Sequence, residues 1–271
     1  MEFLTAKVVY IALFILIIHC IETLAYAVRL SGARVKMIAT ALSLFNMMVV
    51  VSRLANTFQQ PFTGGLVDTA PKENTAAFVE QQFRVIIGAS SAGTVAGIIL
   101  LPTFVAIFSR AIVHLSEQGG SIPVLVKKGI TFEYIRRGLK HIHLPNITYL
   151  KEIKLKDIPI RLFLVNMIVT AVYTIGVLSA LYAAILVPER GASAIMASGL
   201  INGIATILLT VFVDPKISVL ADKVVNSKGS YTKLKAMSIL MITSRFFGTL
   251  LAQLLFIPGA QYIAWMSQFF I

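Results

Sequence analysis

The chain is short of charge, of acid and of cysteine. Only 13% of its 271 residues are Asp, Glu, Lys or Arg, too few to coat a soluble domain of this length. Asp and Glu number 12 against 24 Lys and Arg, which leaves a net charge of +12. The one cysteine, Cys20, lies inside an apolar run and forbids an intrachain disulfide. Several motifs are missing as well. Without a glycine-rich phosphate loop, nucleotide-driven pumping by this chain is excluded as far as motifs can do so. There is no Ser-His-Asp order and no cysteine or histidine cluster at metal spacing. His19-x-x-Glu22 is not the two-histidine zinc signature, and His141 and His143 face different sides of any helix. Nothing therefore calls for a metal or a cofactor.

What the chain does have is apolar length. It is 57% hydrophobic, with mean hydropathy +0.84, and is expected to be an all-α polytopic membrane protein. About 20 apolar residues cross a bilayer as a helix. Six stretches qualify, at about 5–27, 35–55, 85–108, 160–187, 192–213 and 236–265. The first is read as a retained span rather than a cleaved signal, because its flank is neutral and Glu22 precedes the small-residue site. Span two is expected to end in the polar, breakable run Gln59 to Gly65, and span five to stop before Asp214-Pro215.

Basic residues crowd the loops after spans one, three and five, including Arg34 and Lys36, Lys127 to Lys156, and Lys216 to Lys235. The other two loops are acidic or neutral. Positive residues stay on the cytoplasmic side, which predicts both termini outside. The basic residues sit between hydrophobic spans, so nucleic acid is not the expected partner. Residues 109–158 form a basic connector. Within it Thr131 to His143 reads as an amphipathic helix, either lying on anionic headgroups or serving as a plain linker.

The halves repeat. At a shift of 156 residues, Tyr26-Ala27, Leu30, Arg34, Ala41, Leu44 and Asn46 lie over identical residues from Tyr182 to Asn202, seven identities in 21 positions. Pro102 lies over Pro258 at the same shift. Three spans per copy is an odd number, so the second copy, in 159–271, is inverted relative to the first, in 1–108. Inverted repeats of this kind build midplane sites in transporters.

Charged residues within the spans are the candidate site, because a charge at bilayer centre costs roughly 3 kcal/mol or more. His19, Glu22, Tyr26 and Arg29 share one helical face, and Thr40, Ser43, Asn46, Arg53 and Asn56 form a stripe on the next span. Arg53 and Arg245 are the leading candidates for an anionic headgroup, since the guanidinium fork suits phosphate. Arg84 and Arg29 are further stations near the two faces. Glu22 and His19 are candidates for a proton or charge relay. Each has a plainer reading as an interfacial anchor or a helix-to-helix hydrogen bond. Asn46, Asn202 and Tyr26 either line a cavity or pack helices.

The run His19 to Arg29 (HCIETLAYAVR), the following Arg34, and Leu54 to Pro61 (LANTFQQP) resemble the Amj family, the alternate lipid II flippases of Gram-positive bacteria. The resemblance covers the length and span count of the chain. It implies a bacterial cell-membrane transporter rather than an enzyme, with lipid II as its substrate partner. It carries no residue assignments. From the residues alone the expected ligand is an anionic amphiphile or an ion. A membrane enzyme acting on a lipid phosphate and a non-transporting scaffold are the competing classes.

Overall fold

The computed structural model describes residues 5–119, 159–226 and 228–270. The expected surface helix at 131–143 lies outside them. Every regular element within them is helical. The helices are α1 (Ala6–Val35), α2 (Ile38–Asp68), α3 (Thr75–Glu117), α4 (Ile160–Leu186), α5 (Gly191–Leu208), α6 (Asp214–Val225) and α7 (Tyr231–Met266). Six helical stretches are long and apolar enough to cross a membrane, with α5 and α6 together supplying one of them. Side chains such as Phe58 (70% exposed), Leu254 (74%) and Met196 (78%) point outward from these spans. On helices of this length and apolarity, such side chains suit contact with lipid.

Apart from α4, which keeps to its expected span, the helices overrun theirs. In hydrocarbon each backbone N–H must find its acceptor inside the segment, so helix persists through residues that would break it in water. The run Gln59 to Gly65, expected as a turn, is helical, with Pro61 inside α2. Hydroxyls take up carbonyls there: Thr63 donates to the carbonyl of Gln59 at 3.3 Å and Thr69 to that of Gly65 at 2.8 Å. The expected stop at Asp214-Pro215 is also a continuation. A single π-helical turn, Leu209–Val213, leads into α6 with Pro215 in its first turn. Proline offers no N–H to the preceding turn, and the change of winding falls where that bond is missing.

The α1–α2 hairpin closes tightly. Lys36 takes a left-handed conformation (φ 59°), and the N–H of Met37 returns to the carbonyl of Gly32 at 2.9 Å. A Cβ on Gly32 would collide with Ala41 of α2, so this approach requires glycine. In the first half α1 packs chiefly on α3 and then on α2; in the second, α4 packs chiefly on α7 and then on α5. The halves meet where α3 crosses α7 and along the faces of α1 and α2 that look toward α4, α6 and α7. That second seam holds the site.

Candidate functional site

A cavity of about 80 Å³ opens between α1, α2, α4, α5, α6 and α7. Helical spacing places Glu22, Tyr26 and Arg29 on one face of α1, and all three reach its wall. Arg53 comes from α2 and Arg245 from α7. Asp214 enters at the π-helical turn, where the wider winding precedes a proline. π-turns recur at functional sites because they re-aim a side chain without ending the helix.

Two ion pairs tie the halves together across this space. Arg29 Nη2 donates to Asp214 Oδ1 at 2.7 Å, joining α1 to α6. Arg245 Nη2 donates to Glu22 Oε2, joining α7 to α1. The other oxygen of Glu22 accepts from the Ser52 hydroxyl of α2 at 2.8 Å. Glu22 thus links three helices. Phe45 covers the Arg29 guanidinium with its ring centroid 4.1 Å away, a favourable cation–π contact. Arg53 has no carboxylate partner among the described residues. Tyr173 of α4 stands beside Arg53 and Asn56 and lines this cavity and a smaller one beyond it.

Three guanidiniums face two carboxylates, so the wall carries a net single positive charge. Both paired arginines are nearly enclosed, Arg29 at 4% exposed and Arg245 at 8%, yet each spends only one terminal nitrogen on its carboxylate. Nε and Nη1 of Arg29 and Nε of Arg245 are buried without a hydrogen-bond partner. Such donors are costly to leave unused in a low-dielectric site. An anion with several oxygens would satisfy them.

The structure therefore gathers Glu22, Tyr26, Arg29, Arg53 and Arg245 in one place and puts the other candidates elsewhere. Arg84 bonds Glu80 one turn earlier on α3 at 2.7 Å and the carbonyl of Gln253 at 3.2 Å. Gln253 returns a bond to the carbonyl of Arg84 at 2.8 Å, so this arginine clamps the α3–α7 crossing. His19 is buried near Arg245 but does not reach the cavity wall, and its Nδ1 has no partner. Asn46 is exposed on α2 and away from the wall. Asn202 packs against Gly176 of α4.

Asp214, Ser52 and Tyr173 were not among the expected site residues. Asp214 carries a signal, an acid at the end of an apolar run, but beside Pro215 the pair reads as a helix stop. Ser52 sits next to Arg53 and is 1% exposed; only its contact with Glu22 gives it a role.

A family model described as "Amj: Alternate to MurJ" matches residues 14–267. A relative from Bacillus subtilis (strain 168), named "Lipid II flippase Amj", is 58% identical over 270 residues, covering all of both chains. No solved structure matches. Every residue of the charged cavity falls inside the matched range, and the chain belongs to the Amj family of multi-pass membrane proteins.

Proposed function

We propose that this chain is a lipid II flippase of the bacterial cell membrane, moving an undecaprenyl-diphosphate-linked peptidoglycan precursor from the cytoplasmic to the outer leaflet for cell-wall assembly. The observation that carries the reading is a full-length relative of that name at 58% identity, joined to an arginine-rich cavity between two apolar halves. The task needs a place for a diphosphate, walls that let an isoprenoid tail stay in lipid, and a way to expose the site to each side in turn. Arg245, Arg29 and Arg53 meet the first need. The outward-facing apolar side chains meet the second. No chemical step on the substrate is required, so the role is transport rather than catalysis.

For the third need, the halves work as inverted three-helix repeats, 1–108 and 159–271, with both termini outside and the basic connector 109–158 in the cytoplasm. The parallel packing of α1 on α3 and of α4 on α7 supports this. So do the repeat mates Tyr26 and Tyr182, Ala27 and Ala183, and Ala41 and Ala197, all buried. The cavity holds a phosphate-sized group, not a disaccharide-pentapeptide. The halves must therefore separate on one side to admit the head, which is the motion of alternating access. Arg84, at the crossing of α3 and α7, serves as an uptake or release station. Glu22, with His19 behind it, acts as the charge relay of the cycle.

Purified protein in liposomes carrying fluorescent lipid II tests the proposal. Lipid II should move between leaflets at a rate proportional to protein content, and ordinary phospholipid should not. Equal rates in protein-free liposomes would overturn the reading.

A further inference from the structure

We infer that Glu22 and Asp214 are built-in substitutes for the substrate's phosphates: they hold Arg245 and Arg29 in the empty carrier, and a diphosphate opens the seam by displacing them. The inference rests on the flippase reading above and adds how the empty carrier is kept shut. Both carboxylates sit on the opposite half from the arginine they hold, so the two ion pairs are also two fasteners between the halves. The cavity lies between them. Each arginine keeps buried donors unspent: Nε and Nη1 of Arg29, Nε of Arg245. A carboxylate offers two oxygens and one charge, whereas a diphosphate offers more of both. It therefore satisfies the idle donors and competes for the occupied ones. Arg53 has no carboxylate partner among the described residues and supplies the charge that meets the diphosphate first.

The exchange has a structural consequence. Once Asp214 is displaced, α6 loses its polar tie to α1 at the π-helical turn. Once Glu22 is displaced, α7 loses its tie to α1, and Glu22 keeps only Ser52 of its own half. The empty carrier stays closed because its arginines are already engaged. Substrate lowers the cost of opening because it binds better with the halves apart, as any ligand that shifts a population must.

The test is binding of farnesyl diphosphate to the full-length protein in nanodiscs, with inorganic pyrophosphate in a parallel arm to separate headgroup from tail. Asp214→Asn and Glu22→Gln keep shape and remove charge. Each should bind farnesyl diphosphate about fivefold tighter or more, the usual lower range of a coupling between sites. Glu189→Gln, whose carboxylate pairs with neighbouring Arg190 and no other cation among the described residues, should bind as the parent does. A cysteine placed at Thr206 on the cavity wall, with Cys20→Ser, should react faster with a water-soluble maleimide in the Asp214→Asn background. Unchanged or weaker binding in both carboxylate variants would overturn the inference, because carboxylates that merely positioned the arginines would cost affinity when neutralised. Slower labelling would overturn it too. Arg245→Ala and Arg29→Ala distinguish the two levels. If they lose binding while the carboxylate variants gain none, the fastener fails and the site stands. If they bind normally, the site itself is misplaced.

Discussion

Two kinds of seam run through this molecule. Within each half, α1 on α3 and α4 on α7 meet through small residues: Gly93 lies against the backbone of Leu16, and Gly248 lies so near α4 that an added Cβ would fall 2.6 Å from the carbonyl oxygen of Met167. Between the halves, on the cavity side, α1 and α2 meet α6 and α7 through guanidiniums, carboxylates and space. The first kind gains from dispersion and has one close fit. The second has charges that can change partners. In lipid, where apolar side chains gain nothing from leaving their solvent, that difference decides which seam is fixed and which can open.

The comparison breaks most visibly at the glycines. Gly93→Leu and Gly248→Leu should each prevent folding, since overpacking costs about 3 kcal/mol or more where the backbone of Leu16, or the Met167 carbonyl and the Thr170 Cβ, must move. Yield of monodisperse protein from membranes measures this. Normal yield would mean that the within-half seams are loose as well. Next comes Arg245→Ala, which strands Glu22 in a buried site. It should lower thermal stability by about 3 kcal/mol, whereas Arg245→Leu with Glu22→Leu should recover most of that loss without recovering transport. A smaller effect is expected at Asn166, which donates to the carbonyl of Met241 at 3.0 Å and to the Ser244 hydroxyl at 2.6 Å within the α4–α7 seam. Asn166→Leu should cost about 1 kcal/mol in a detergent-unfolding titration, the scale of a hydrogen bond between membrane helices. Smallest of all, Glu189→Gln should leave the melting temperature unchanged, because its ion pair with Arg190 lies in solvent, which screens it.

The six spans and the inward polar face of α1 were legible in the sequence because bilayer thickness and helical period act directly on residue order. Helix ends were less so. Pro61 and Asp214-Pro215 carry the local chemistry of turns, and lipid overrides that chemistry by penalising any unpaired backbone. Glu22 and Arg53 share no local pattern, being 31 residues apart on two different helices. The structure nonetheless puts both on one cavity, with Ser52, the neighbour of Arg53, bonded to Glu22. The partners of Arg29 and Arg245 could not be read at all. Asp214 lies 185 residues from Arg29 and Glu22 lies 223 from Arg245, and no local pattern encodes a contact at that range.

The central claim is that the charged cavity is the transport site. Its most direct test is lipid II exposure on cells that have this protein as their sole flippase, read by an added lipid II-cleaving enzyme. Intact protein should expose lipid II, and Arg53→Ala, which leaves no buried carboxylate unpaired, should abolish most of the exposure at equal protein level. Full exposure with Arg53→Ala and with Arg245→Ala, each at normal abundance, would contradict the account.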